Sequence, residues 1–261
     1  MKVHLNKTNI FYTTKGHGDT TLLFIHGWCI NSRYWEGQQD YFSSKYKTIA
    51  LDLPGFGKSE AERENWTIEE YSNDIIHFMD HLNLKNVILI GHSMAGEIIL
   101  EAALTHHSAI KGIIGIDNFK MIDVQFTQQQ YEEMNGFLKM IENDFKNTAP
   151  VYAERMLLSP STDESVSNRV KSDFMNANPK VGLSSLNNFI HYTMGEAAKL
   201  EKLNYKLYLL NSNVIPTHMQ GLRNHCRNSF EVHEIEASSH YPMIENPVEF
   251  NTVLQKILNT I

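Results

Sequence analysis

Ten residues, Val87-Ile-Leu-Ile-Gly-His-Ser-Met-Ala-Gly96, constrain this chain more than any other stretch. Four consecutive aliphatic side chains read as a strand buried on both faces. A turn of small residues follows, and Glu97–Leu104 then reads as a helix. Strand running into helix in this way belongs to α/β architecture with a mainly parallel sheet. Ser93 stands at the turn, where the backbone is strained and the hydroxyl is pushed outward. The helix beginning just after it offers unpaired N–H groups to a developing oxyanion. A serine before a helix also reads as a plain cap. The strand before the turn and the helix after it favour a nucleophile.

The same alternation runs through most of the chain. Leu22–Ile25, Thr48–Leu51, Val87–Ile90, Ile113–Ile116 and Leu207–Leu210 are short apolar runs that predict buried strands, and Phe230–Ile235 is a less regular one. Thr67-Ile-Glu-Glu70 predicts a capping box opening an amphipathic helix through Leu82. Pro247–Leu258 predicts the last helix, with proline in its first turn. From 119 to 200 no strand is predicted; Phe126–Phe145, Ala149–Leu158, Asp163–Asn176 and Val181–Met194 read as helices. We therefore expect a core of residues 1–118 and 201–261, with a helical lid of residues 119–200 inserted after the sixth strand. Tyr131, Met134, Met140, Tyr152, Met156, Met175, Tyr192 and Met194 are expected mostly to pack the lid on the sheet, and some of them to line an apolar acyl pocket.

Several function classes are disfavoured by composition. Lys and Arg number 23 against 30 Asp and Glu, a formal charge of −7. Binding to nucleic-acid phosphates or an anionic membrane needs a basic face, so neither partner is expected. Cys29 and Cys226 cannot form a disulfide framework, which fits a reducing compartment. The N-terminus shows no uninterrupted apolar leader, and no apolar run approaches the roughly 18 residues of a spanning helix. The expected location is the cytoplasm. No spacing suggests a metal set or a phosphate-cradling loop, and no cofactor is expected. The sequence leaves the oligomeric state open.

A serine nucleophile needs a base. His240, in Ser239-His-Tyr-Pro, follows the Phe230–Ile235 strand and precedes the last helix, where a loop can carry it back to Ser93. Leu22-Leu-Phe-Ile-His-Gly-Trp-Cys29 ends a central strand beside the serine turn. There the amides of Trp28 and Met94 are the candidate oxyanion donors. Cys29 lacks a comparable turn and is not read as a nucleophile.

Together, Val3–Gly18, His26-Gly-Trp28, Asp52-Leu-Pro-Gly-Phe-Gly-Lys-Ser59, Gly91–Gly96 and the His240 loop resemble the α/β-hydrolase superfamily with a helical cap, nearly end to end. One small departure is Ala95, where the serine motif usually has glycine. The resemblance implies structural roles for His26 and for Asp52 with its glycine-rich turn. It also implies an acid in the loop after the strand preceding the histidine strand. Here that loop is Asn211-Ser-Asn-Val-Ile-Pro216, and it holds no carboxylate. Asn213 stands in the usual place and could orient His240 only as a neutral group. Asp117, ending Ile113-Ile-Gly-Ile-Asp117 one strand earlier, is the favoured triad acid. It also reads as a cap where the chain enters the lid.

The resemblance implies serine-based hydrolysis of a small or medium carboxylic ester, a small-molecule substrate with an apolar acyl part. A C–C bond hydrolase, thioesterase, lactonase or acyltransferase uses the same residues. A ligand-binding module with a vestigial site is the alternative of another class, because the fold alone does not fix function.

Overall fold

The computed structural model describes residues 1–5 and 7–261. Its strands are β1 (Lys2–Leu5), β2 (Thr8–Lys15), β3 (Thr21–Ile25), β4 (Lys47–Leu51), β5 (Glu60–Ala61), β6 (Val87–His92), β7 (Ile110–Ile116), β8 (Leu207–Ser212) and β9 (Phe230–Ile235). They form one sheet in the order β1-β2-β4-β3-β6-β7-β8-β9, with the short β5 paired to β2. β1 and β2 run antiparallel, and all pairings from β4 to β9 are parallel. The apolar runs Leu22–Ile25, Val87–Ile90 and Leu207–Leu210 are buried throughout, as strands covered on both faces must be.

Helices α1 (Glu36–Phe42), α2 (Ile68–His81) and α3 (Met94–Leu104) connect the first strands. α2 packs on α3 and buries Tyr71, Ile75, Phe78 and Met79. Thr67 caps α2 by accepting from the Glu70 amide. The expected reciprocal bond is not made, because the Glu70 carboxylate turns toward Arg63 at 3.7 Å.

Residues 119–200 lie between β7 and β8, and β7 is the sixth strand of the main sheet path. They form α4 (Gln128–Asn143), α5 (Phe145–Tyr152), one wide turn of π type (Ala153–Leu157), α6 (Glu164–Asn176), α7 (Pro179–Thr193) and α8 (Glu196–Leu200). The chain closes with α9 (Met219–His225), α10 (Pro242–Glu245) and α11 (Pro247–Leu258). The helix expected over Ala149–Leu158 is thus split, its second half opening into the π turn. The lid side chains also need correction. Tyr131, Met134, Met140, Met156, Met175 and Met194 are exposed rather than packed on the sheet. The helix carrying Tyr131, Met134 and Met140 buries only Ile141, and the other inserted helices turn one face inward and leave the rest to solvent. Phe145, Ala149, Val170, Phe174, Val181 and Leu186 occupy that face; of the expected set, only Tyr152 and Tyr192 turn inward.

Candidate active site

The loops leaving the carboxyl ends of β3, β6, β7 and β9 meet under the lid. In open parallel sheets this is where ligands bind. Ser93 follows β6 with φ +52° and ψ −126°, a conformation that costs a non-glycine residue about 1–3 kcal/mol. Its side chain makes no capping bond to α3, so the plain-cap reading fails. The turn is possible because its neighbours are small. A Cβ on Gly91 would overlap the Ala95 carbonyl, and one on Gly27 would meet Ser93 Cβ at 2.9 Å. Ala95, in place of the usual glycine, is fully buried without disturbing the turn.

Among the described residues, the amides of Trp28 and Met94 donate no hydrogen bond within the chain. Gly27 packs directly on Ser93, which brings the two donor-bearing turns together. Helix α3 begins at Met94, so its free N–H groups add positive potential there. The Trp28 side chain faces the lid. Its indole N–H donates to the Gly182 carbonyl at 2.9 Å, and its ring meets Phe145, Tyr152 and Phe174 edge-on.

His240 is held on both sides. Its amide donates to Leu157 O of the π turn at 3.1 Å, and its Nδ1 lies 2.6 Å from Asp117 Oδ2. Burial alone would push the Asp117 carboxyl up. Hydrogen bonding and charge from His240, then from Lys120, overcome this and leave it well below the usual carboxylate range. An ionised carboxylate only accepts, so His240 carries its proton on Nδ1 and leaves Nε2 bare. Asp117 itself sits at φ +50° at the end of β7. Asn213 is exposed, and among the described residues no hydrogen bond joins it to His240. Nor does a hydrogen bond link the Ser93 hydroxyl to His240 among the described residues. Both line one cavity of about 50 Å³ with Trp28, Met94, Tyr152, Leu157, Phe174, Leu186 and Phe189. Such contacts commonly tighten only with substrate present.

Two further residues of the site escape sequence reasoning. His92 is buried, and its Nε2 donates to the His240 carbonyl at 2.7 Å. Burial first, and the nearby His240 charge second, push its pKa down to about 3, so it stays neutral. Lys120 is buried beside Asp117 at 2.5 Å. A histidine next to the serine was visible in the motif, but nothing in one sequence tells that it bonds the His240 carbonyl. Lys120 carried no signal beyond its spacing of three from Asp117.

The remaining singled-out residues are structural. His26 Nδ1 donates to the Gly27 carbonyl and its Nε2 accepts from the Leu53 amide, tying the Trp28 loop to the Asp52 turn. Asp52 accepts from the amides of Ser32 and Lys58. Cys29 is buried, and burial followed by the Asp173 charge pushes its thiol well up, the opposite of what a nucleophile needs. Among the described residues no group of three or more His, Cys, Asp or Glu could hold a metal ion, and no helix is long and apolar enough to cross a membrane.

A family model described as the alpha/beta hydrolase fold matches residues 20–247. The pimeloyl-[acyl-carrier protein] methyl ester esterase of Wigglesworthia glossinidia brevipalpis is 24% identical over 257 residues, spanning 94% of this chain and 96% of that one. Among solved structures, a thermophilic esterase from Thermogutta terrifontis matches with a TM-score of 0.81 at 18% identity, covering 100% of this chain and 98% of that one. A bromoperoxidase from Bacillus anthracis matches with a TM-score of 0.82 at 22% identity, covering 97% and 96%. At these identities the solved structures speak for the fold.

Proposed function

The chain belongs to the α/β-hydrolase fold family, and from that premise we propose that it is a serine hydrolase of small carboxylic esters, working through an acyl-enzyme on Ser93. The carrying observation is the convergence on one apolar cavity of a strained Ser93 and a His240 whose Nδ1 is bonded to Asp117. The relative from Wigglesworthia glossinidia brevipalpis is an esterase by name, which supports the reading.

Ser93 Oγ attacks the ester carbonyl carbon while His240 Nε2 takes its proton. The carbonyl oxygen, now negative, is held by the Trp28 and Met94 amides. Asp117 fixes the His240 tautomer and stabilises its charged form. The C–O bond to the alcohol breaks, and the imidazolium gives that alcohol its proton. Water, deprotonated by the same Nε2, then attacks the acyl carbon and releases the acid. The cavity admits only a few water-sized groups, which favours a short acyl chain. Its walls of Trp28, Phe174, Leu186 and Phe189 are aromatic or aliphatic, which favours an apolar one. Residues 119–200 serve as the lid that excludes water from this reaction.

Hydrolysis of p-nitrophenyl acetate, butyrate and octanoate by wild type and Ser93→Ala tests this. We expect turnover strongest on acetate and a loss of roughly 10⁴-fold or more in the variant. Equal rates in the two proteins on all three esters would overturn the reading.

A further inference from the structure

Lys120 is a fully occupied lysine in a place where a lysine is costly. Its side chain is 7% exposed, and moving a charge out of water costs several kcal/mol unless it is paired and hydrogen-bonded. Here three oxygens surround the ammonium, two as hydrogen-bond acceptors and one as an ion-pair partner. Asp117 Oδ1 lies at 2.5 Å, the Ser212 carbonyl at 2.9 Å and Ser212 Oγ at 3.1 Å. The Ser212 amide also donates to Asp117 Oδ1 at 2.8 Å. One carboxylate oxygen is therefore pinned between Lys120 and the end of β8, and the other is left to face His240 Nδ1.

We propose that Lys120 is a positioning residue of the triad, clamping Asp117 against the end of β8 and partly neutralising the carboxylate on which His240 leans. This rests on the reading of Ser93, His240 and Asp117 given above. Two effects follow from the one contact. The clamp removes the rotation about the Asp117 side chain that would let its carboxylate leave the imidazole. The cation offsets part of the attraction between Asp117 and a protonated His240, so the base is not made too strong to release its proton to the leaving alcohol. The groups facing His240 are Asp117 and Lys120 after β7, His92 at the end of β6, Tyr152 of the lid, and Tyr241 on its own loop. Glu245 reaches the loop through Ser239. Lys120 is the permanent cation in this set. Removing it should make His240 more basic.

The test is an NMR titration of the His240 ring in the full-length protein, comparing wild type, Lys120→Met and Ser212→Ala. Alongside it, kcat and KM are measured on the preferred ester. In Lys120→Met the His240 titration should move up by about one pH unit, with kcat roughly tenfold lower and KM within about twofold. Ser212→Ala removes one of the three oxygens and should move both readouts the same way by less. A His240 titration in Lys120→Met within about 0.2 units of wild type overturns the proposal. If that variant does not fold, an unshifted titration in Ser212→Ala does so. The titration needs no turnover, so a protein inactive on esters sinks the esterase reading while the clamp is still decided.

Discussion

Two buried carboxylate sites lie near the helix that follows Ser93, and they titrate in opposite directions. Asp117 is surrounded by donors: His240, Lys120 and the Ser212 amide. It stays ionised although almost fully buried. Glu97, on α3, faces Glu196 at the start of α8, and among the described residues no donor reaches Glu97 Oε2 or Glu196 Oε2. Burial, then the Glu196 charge, raises the Glu97 carboxyl well above the usual range; burial raises Glu196 to about 7. Lys199, three residues after Glu196, is spent elsewhere, binding Glu101 at 2.5 Å and Glu69 at 3.6 Å. Among the described residues no cation pairs with Glu97 or Glu196. Burial is common to both sites; the neighbouring donors decide the charge. The first site can hold an imidazolium. The second can only share a proton, and it joins the helical insert to the helix that follows Ser93.

The largest test of this contrast is Asp117→Asn. An amide opposite Nδ1 cannot stabilise the charged ring and favours the wrong tautomer, so kcat should fall about 10⁴-fold. The same change leaves Lys120 buried without its partner, which should cost about 3–5 kcal/mol of stability. Steady-state kinetics and thermal melting at one pH measure both. A variant that melts like wild type and turns over within tenfold of it would remove Asp117 from both roles.

Glu196→Gln should act the other way. The unfolded chain ionises both carboxyls near the ordinary glutamate value of about 4.5, while the folded pair retains a proton. A carboxyl raised in the fold contributes stability that is whole below the unfolded pKa. That stability is lost as pH rises through the folded value, here from about 4.5 to about 7. A rise of this size corresponds to roughly 3 kcal/mol. Glutamine can donate to Glu97 without titrating. The variant should therefore melt several degrees above wild type at pH 8, with the gap closing near pH 4.5. Asp117, depressed in the fold, has the opposite sign: its contribution is present above the carboxylate range and lost as pH falls. A Glu196→Gln variant less stable than wild type at pH 8 would mean that the pair is held by a cation after all.

The contrast also separates what a single sequence reveals from what it hides. Ser93 was legible because a strand, a turn of small residues and a helix are local features, and His240 because its loop ends a strand-like run. Asp117 was legible as a carboxylate at a strand end. Choosing it over Asn213 needed the expectation that β7 and β8 end side by side, which the sheet order now displays. Lys120, His92 and the Glu97–Glu196 pair were hidden. Their partners lie from 92 to 148 residues away, or on a helix as short as α8, and no periodicity encodes such meetings. The exposed methionines of the lid were misread for a related reason. Apolar spacing along a helix defines a face, but it does not say whether another element covers that face.

The smallest effect belongs to Asn213→Ala, and its smallness is informative. Asn213 stands 27 residues before His240, where the resemblance places the acid. Its side chain is exposed in the loop that leaves β8, while its neighbour Ser212 is buried and turned toward Asp117 and Lys120. The strand end where the resemblance places the acid thus carries, in Ser212, a residue bonded to Asp117 on the strand beside it. Exposed substitutions away from a network usually change stability by less than about 0.5 kcal/mol, and kcat should stay within about twofold of wild type. The pH dependence should be unchanged as well, because no ionisable group is removed. A drop in kcat approaching that of Asp117→Asn would show that the loop folds inward during turnover and that Asn213, not Asp117, orients the ring. The Asp117 and Lys120 pair would then be a neutral, purely structural ion pair, the counterpart of the Glu97–Glu196 contact rather than its opposite.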